Sequence, residues 1–573
     1  MISPLHQTAL NSPEATAIQL PTTSHHYAWQ NVNETVNNET ANNEAVKNQS
    51  VSHHTISYLQ LSHIVSNLVE SLKVQKVSRN SRIACISSNN LEMICLYWAC
   101  VDIGAIFLPI SPRFPASQVA ELCQRFEIGY FWSETINVDV TNTELIRDNS
   151  TDKTAEPEFA ATSQLKLELT DKPFSKKNTL SKPTVDADKP LNIILTSGSS
   201  GKPKGVVHCL ANHIASASGS AENIPLTLND SWLLSLPLFH IGGLAIINRC
   251  ALAGAALVLS SKHALWQQIT DADISHVSLV AAQLTEILAQ QPQALDKVKA
   301  LLLGGGAIEP HLVSALADRH INAYCSYGMS EMSSQITTAL INPQGHLGKP
   351  LNNRQLTIRD GAIWVKGECL FLGYLTQGNT QQLQQQVEHS EQADKQPQEQ
   401  IPLSKAIDEQ GWFNTQDLGE FDADGNLLLL GRTDNMFICG GENIHPEEIE
   451  AAIKAHPSVQ NAIVFAQEDL KFSLLPAAII QLKANAQLNG PSTSELDVRE
   501  PETKTTEAQT SENRLTTFTA ADINSIEELV LTKIARFKRP RHYYTWPNDV
   551  ETTGLKIPRK AIIAAVKQRI TKS

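Results

Sequence analysis

The sequence predicts an α/β protein of two domains, a large layered one followed by a small α+β one. Three observations predict it. Short apolar runs alternate with helical patterns along most of the chain. At 573 residues the chain exceeds what one ordinary hydrophobic core organises. Its character also changes after Gly431. The apolar runs are RIACISS, LNIILTS, SWLLSLPL, AALVLSS, ALLLGGG and QNAIVFA, each short enough to be a buried strand. Helical patterns separate them, among them SYLQLSHIVSNLVESLKVQ and PHLVSALADRH. Strand–helix alternation of this kind implies largely parallel sheets covered by helices. No repeat of fixed period is visible.

Beyond Gly431, the run GRTDNMFICGGENIHPEEIEAAIKAH reads as a short strand, a Gly-rich turn and a helix. Pro446, just after His445, suits the first turn of that helix, where a missing N–H costs nothing. A boundary at 431–434 divides the chain into an expected large domain, 1–431, and a small one, 432–573. Four polar stretches, near 31–52, 135–188, 377–400 and 484–518, have too few apolar residues to bury a core. They are expected to be surface insertions or disordered loops, which a fold accommodates at small entropic cost.

Composition excludes several classes of protein. With 42% hydrophobic and 18% charged residues the chain reads as soluble and globular. A formal net charge of −13 opposes a general nucleic-acid binder, whose footprint is a basic face. Only KIARFKRPRHYY (533–544) offers such a patch. None of the nine cysteines forms a CxxC pair with zinc spacing, and several sit in apolar runs, so buried reduced thiols are expected. The N-terminus lacks the basic start and apolar run of a signal peptide. No apolar stretch is long enough to span a bilayer. A cytoplasmic enzyme is the expectation.

The densest chemical signal is LTSGSSGKPKGVVH, residues 195–208. An apolar strand runs into Thr196, Ser197, Gly198, Ser199, Ser200 and Gly201, then Lys202 and Lys204. Small residues let successive backbone N–H groups cradle phosphate oxygens, and the hydroxyls and ammonium groups add to that cradle. A flexible linker has the same small residues but does not set KPKG between two apolar strands. A Walker A loop is excluded, because Gly201-Lys202 is followed by Pro203 and the glycine spacing differs.

This segment resembles the signature loop of the adenylate-forming superfamily, which includes acyl- and aryl-CoA ligases, luciferases and peptide-synthetase adenylation domains. Further motifs of that family follow in order. LLLGGGAI (301–308) is similar to the strand and glycine turn beside adenine, with Gly304, Gly305 and Gly306. SYGMSEMSSQ (326–335) resembles YGxTE, with Ser330 for Thr. TQDLG (415–419) resembles TGD, with Gln416 for Gly. The run from Gly431 resembles the hinge and thiol-loop motif, and TGLKIPRK (553–560) the C-terminal lysine motif.

The resemblance implies ATP, Mg²⁺ and coenzyme A as reactants and a mobile C-terminal domain. Tyr327 is then expected to stack on adenine and Glu331 to ligate Mg²⁺. Asp417 and Arg432 are expected at the ribose. Lys556 is the expected acylation lysine, placing a cation where an acid carboxylate attacks the α-phosphate; Lys560 competes for the role. Asp434 holds the hinge position, and Gly440, Gly441 and Glu442 are expected near the thiol arm, with the basic run 533–544 near the CoA phosphates. The resemblance also permits a homodimer.

For the acid, LPLFHIGGLAIINR, HVSLVAAQL and SYGMSEMSSQI are most similar to o-succinylbenzoate–CoA ligases of menaquinone synthesis. That acid carries two carboxylates, one activated and one needing a cationic partner. Arg249 is the candidate partner, with His240 at the pocket or tunnel and Ser333, Ser334 and Gln335 as donors. The sequence departs from similar ligases in having AAQL where VPTQL is expected, and Gly where Ser is frequent in HIGG. Another aryl- or fatty-acyl-CoA ligase shares the same chemistry. A catalytically dead nucleotide-binding scaffold is the reading from a different class, and the presence of Lys556, Glu331 and Asp417 opposes it. A peptide-synthetase module is less expected, since little chain follows Lys560.

Overall fold

The computed structural model describes residues 1–21, 54–114, 116–134, 162–170, 183–196, 203–304, 308, 310–376, 401–404, 406–433, 435, 437–439, 442–469, 473–483, 520–534, 538–550 and 557–570. The chain divides into two compact units. One comprises 1–357, 364–414 and 421–427; the other comprises 358–363, 415–420 and 428–573.

The first unit is built on two large sheets. In the eight-stranded sheet the order is Leu403–Ser404, Gly373–Leu375, Lys204–Cys209, Pro190–Thr196, Ile106–Ile110, Arg82–Ile86, Tyr130–Ser133 and Ser163–Gln164. Its strands from Pro190–Thr196 to Ser163–Gln164 run parallel, while Lys204–Cys209 and the strands beyond it are antiparallel. In the nine-stranded sheet the order is Lys349–Pro350, Ser334–Leu340, Ala323–Met329, Ala300–Leu303, His276–Leu279, Ser231–Leu234, Ala256–Leu259, Thr16–Leu20 and His54–Ser57. The six strands from Ala323–Met329 to Thr16–Leu20 are parallel. The expected parallel layers are therefore present, and all six apolar runs read as strands contain one.

One core joins the two sheets. It takes Phe107, Leu191 and Ile194 from the first, Trp232, Leu257 and Leu302 from the second, and the buried faces of the helices Tyr58–Val74, Leu91–Ile103 and Ile241–Ala253. Leu91–Ile103 is apolar on nearly every side, as a helix enclosed between layers must be. Asn90 caps its start by accepting from Met93 N at 2.9 Å, and Gly104 ends it at φ +76°. Ser57 and Gln60 form a reciprocal capping box at the start of Tyr58–Val74. The outer faces of the sheets carry their own clusters, beneath Ala116–Arg125 on one and Ala281–Gln290 and Pro310–Asp318 on the other.

Three of the polar stretches fall wholly or almost wholly outside the described residues. The stretch 135–188 is corrected in part. Ser163–Gln164 forms an edge strand, Leu165 and Val185 are buried, and Leu167 and Leu169 pack on the main core. The alternation in QLKLEL carries enough apolar surface for this, within a window whose average is polar.

The second unit contains a three-stranded sheet. Val459–Asp469 pairs antiparallel with Ser473–Leu482, which pairs parallel with His542–Thr545. Alternate residues supply two faces. Val464 and Ala478 join Ile449, Ile453, Ile526 and Val530 of Pro446–Lys454 and Ala520–Leu531. Ile463, Phe465 and Ile479 meet Ile562 and Val566 of Arg559–Ile570. The expected α+β character holds here.

Candidate active site

The phosphate-loop motif folds as an antiparallel pair of strands, with Thr196 opposite Lys204 at its open end. Ser197, Gly198, Ser199, Ser200, Gly201 and Lys202 lie outside the described residues. The glycine of KPKG has a packing reason: a Cβ on Gly205 would come within 2.9 Å of Ile193 Cγ2 and 3.1 Å of Phe126. Tyr374, opposite Val206 on the neighbouring strand, places its ring 4.9 Å from Lys204 Nζ. Its hydroxyl donates to Glu331 Oε1 at 2.7 Å. Glu331 is 8% exposed, and Tyr374 is its one side-chain partner among the described residues.

A second link runs from the same strands to the same motif. His213 Nε2 lies 2.6 Å from Asn192 Oδ1, Asn192 Nδ2 lies 3.2 Å from His208 Nδ1, and His208 Nε2 lies 2.6 Å from the Ser330 carbonyl. A carbonyl only accepts and an amide NH₂ only donates, so each histidine carries a proton on Nε2, and His208, whose Nδ1 accepts from Asn192, is neutral. Burial pushes the His208 imidazole down to about 4, against a smaller opposing effect from Ser330. His213 is lowered in the same direction by burial and then by His208.

Tyr327 is buried in the strand Ala323–Met329, and Gly304 follows the neighbouring parallel strand Ala300–Leu303. Both therefore stand at carboxyl ends of strands, where open α/β sheets bind ligands. Gly305 and Gly306 lie outside the described residues. Gly328 permits a bulge: a Cβ there would meet Ser334 O at 2.2 Å. Just beyond it, Ser333 and Ser334 hold φ values of +52° and +126°. Such strain in serines gathers at functional sites.

Arg249 lies in the helix Ile241–Ala253 and is 5% exposed. Its Nη2 donates to Gln335 Oε1 at 2.7 Å and to Ser334 Oγ at 3.3 Å, and its guanidinium stands 5.2 Å from the Trp232 ring centre. No carboxylate pairs with it among the described residues, and its buried Nε has no hydrogen-bond partner. Burial, and then the charge of Arg354, pull the group down to about 10, so it stays cationic near neutral pH. The structure thus brings Arg249 and Ser334 together. Ser333 differs from the expected donor: its hydroxyl is committed to Cys369 O at 2.9 Å. His240 is exposed at the opposite end of the Arg249 helix, with its ring edge-on to Phe239 at 4.9 Å.

In the second unit Arg432 Nη1 donates to Asp417 Oδ1 at 2.9 Å, joining the two residues expected at the ribose. Thr415 Oγ1 accepts from Asp417 N at 3.1 Å and donates to Ile363 O at 2.9 Å. Gln416, standing where the family has glycine, keeps the glycine conformation at φ +63°. Asp434, Gly440, Gly441 and Lys556 lie outside the described residues. In the basic run, Lys538 pairs with Glu448 at 2.6 Å and Arg539 with Glu527 at 3.2 Å, so much of that charge is answered locally. Sequence reasoning missed Tyr374, whose GYL context carries no charge, and the role of His208, which sat unremarked inside a quoted motif.

The fold and these motifs define an AMP-binding enzyme. That family's profile matches residues 33–375, and the chain belongs to the family. It is similar to 2-succinylbenzoate–CoA ligases. With that of Salmonella typhimurium it shares 33% identity over 372 residues, 65% of this chain and 68% of the relative. With that of Haemophilus influenzae it shares 30% over 501 residues, 87% and 90% of the two chains. The fold matches the o-succinylbenzoate CoA synthetase of Bacillus subtilis in complex with its acyl-adenylate intermediate. The TM-score there is 0.70 at 22% identity, covering 98% of this chain and 97% of the other. Escherichia coli MenE with a bound m-phenylether-linked analogue of OSB-AMS gives 0.68 at 24% identity, covering 99% of each. No helix among the described residues is long and apolar enough to cross a membrane.

Proposed function

We propose that this protein activates o-succinylbenzoate with ATP as an acyl-adenylate and passes the acyl group to coenzyme A, a step of menaquinone synthesis. The observation that carries the substrate assignment is Arg249, a buried guanidinium with no carboxylate partner among the described residues. Burying an uncompensated charge is costly. A second carboxylate on the acid offsets that cost, whereas a fatty acid or simple benzoate leaves it standing. The curated relatives named for the same acid support the reading.

In the first half-reaction the acid's ionised carboxylate attacks the α-phosphorus of ATP, and pyrophosphate leaves. No general base is required, because the nucleophile is already deprotonated near neutral pH. Two anions meet, so the protein's contribution is electrostatic. Lys204 and the phosphate loop hold the phosphates, Tyr327 and Gly304 receive the adenine, and Asp417 and Arg432 receive the ribose. Lys556 stabilises the charge that accumulates between carboxylate and phosphate.

Mg²⁺ fits the residues present. Glu331 is a single carboxylate aligned by Tyr374, and no cluster of three metal-binding side chains occurs among the described residues. That suits a cation taking most of its oxygens from phosphates and water. Mg²⁺ supplies charge neutralisation of the triphosphate. In the second half-reaction the coenzyme A thiol attacks the acyl carbonyl and AMP leaves. The small domain from 432 turns about Asp434 and brings Gly440 and Gly441 to the thiol arm. The reading assigns the work to the cytoplasm.

The test is pyrophosphate release by the purified protein with ATP, Mg²⁺ and coenzyme A across o-succinylbenzoate, benzoate, a cinnamate and a fatty acid. Turnover confined to o-succinylbenzoate is expected. Preference for a monoacid discards the substrate, and silence on all four discards ligation.

A further inference from the structure

Arg249 is oriented by a neutral side chain. Gln335 Oε1 accepts from Arg249 Nη2 and from Ser220 Oγ, each at 2.7 Å. Gln335 Nε2 donates to Thr338 Oγ1 at 2.7 Å, and Thr338 gives its own hydroxyl proton to Thr337 O at 2.8 Å. These partners fix the amide. A guanidinium only donates, so the amide oxygen faces Arg249 and the NH₂ group faces Thr338. Gln335 is 3% exposed, and two donors occupy its oxygen. It therefore serves the arginine rather than donating directly to the acid.

A carboxylate in this position has the same reach and the same acceptor geometry. It also cancels the arginine's charge, which a buried cation ordinarily requires. The chain instead places an amide there. Nearby, a second buried arginine is held, among the described residues, by carbonyl oxygens: Arg354 donates to the backbone oxygens of Gln335, Asn352, Ala215 and Ser216. The two guanidiniums converge on one residue, and neither has a carboxylate in hydrogen-bonding contact among the described residues.

We infer that Gln335 is a specificity-determining residue: it orients the Arg249 guanidinium without cancelling its charge, so that the second carboxylate of a dianionic acid supplies the missing anion. The inference rests on the diacid reading of the site. Selectivity between diacid and monoacid is set by the neutrality of this acceptor as much as by the arginine.

The experiment compares wild type, Gln335→Glu and Gln335→Leu. Substrates are o-succinylbenzoate and the two monoacids that each lack one of its carboxylates. kcat and KM are read separately, and each protein is melted. For Gln335→Glu the KM for o-succinylbenzoate is expected to rise roughly 10- to 100-fold, with kcat and the monoacid KM moving far less and melting held or raised. Gln335→Leu frees Arg249 and Ser220 of their acceptor without adding charge, so melting falls and the KM rise is smaller. Equal KM rises in the two variants, a monoacid KM rising in step with the diacid, or a fall in the melting temperature of Gln335→Glu each overturn the inference. A wild-type preference for the diacid that survives in Gln335→Glu removes the inference alone. A wild type indifferent to the second carboxylate removes the diacid reading and the inference with it.

Discussion

The hydroxyl of Tyr374 donates to Oε1 of Glu331 across 2.7 Å, while the same ring lies 4.9 Å from the Lys204 ammonium. One uncharged residue thus meets both the carboxylate proposed for Mg²⁺ and the second lysine of KPKG. Tyr374→Phe keeps the ring and deletes the hydrogen bond. We expect the KM for MgATP to rise about tenfold to a hundredfold, the loss of one hydrogen bond to a charged group. The Mg²⁺ activation midpoint should move upward with it, while the KM for the acid stays in place. A magnesium titration that superimposes on wild type removes Tyr374 from this role.

Arg249→Met should separate stability from recognition. Replacing a buried cation that has no carboxylate partner by an apolar side chain is expected to leave melting unchanged or raise it. The KM for o-succinylbenzoate should rise far more than that for a monoacid. A large loss of stability would show that the arginine is structural.

The neutral pair His208 and His213 predicts acid sensitivity. Burial holds His208 near 4, below its ordinary 6.5, and lowers His213 as well. Above about 6.5 neither folded nor unfolded chain protonates these groups, so their contribution is complete there. As pH falls from 6.5 towards 4 the unfolded state takes up protons that the folded state refuses. Stability then declines by about 1.4 kcal/mol per pH unit for each histidine. Denaturation curves between pH 7 and 5 should show this slope, and His208→Gln should reduce it by one proton's worth. An unchanged slope contradicts a buried neutral His208.

Gln416→Gly should stabilise the second unit. A glutamine at φ +63° sits in a left-handed conformation that glycine adopts freely. Relief of that strain, less the added entropy of the unfolded chain, leaves about 0.5–1 kcal/mol. Equilibrium denaturation reads it directly, and destabilisation would mean that the glutamine side chain makes contacts worth more than its strain.

Lys556→Ala is expected to abolish pyrophosphate release while sparing thioester formation from supplied acyl-adenylate. Asp434→Pro should do the reverse, sparing adenylation and impairing the second step. Equal loss of both steps in either variant refutes the assigned division of labour.

Much of this was legible in the sequence because strands and phosphate loops leave local signatures. RIACI, NIILT and ALLL are apolar runs whose burial on both faces needs no long-range information. Helix caps at Asn90 and Ser57 are equally local. Arg249 could be singled out because a cation in an apolar helix demands a partner. What the sequence hid were relationships across distance. Tyr374 meets Glu331 through the pairing of its strand with Lys204–Cys209, and nothing in GYL announces that register. Gln335 looked like a donor to the acid; only the positions of Ser220 and Thr338 show which end of its amide faces Arg249. The polar window at 135–188 concealed Leu165 and Val185 by averaging.

All nine cysteines are buried and unpaired. Burial raises the thiols, Cys439 among them, so the reactive thiolate is disfavoured. For a protein proposed to handle a thiol as its second substrate, this keeps its own sulfur chemistry silent. Oxidised coenzyme A finds no accessible protein thiolate with which to exchange. Mixed disulfides on this chain should be scarce even in a cell under oxidative stress, and a swing in the ratio of reduced to oxidised cofactor would reach the enzyme only through the concentration of its substrate.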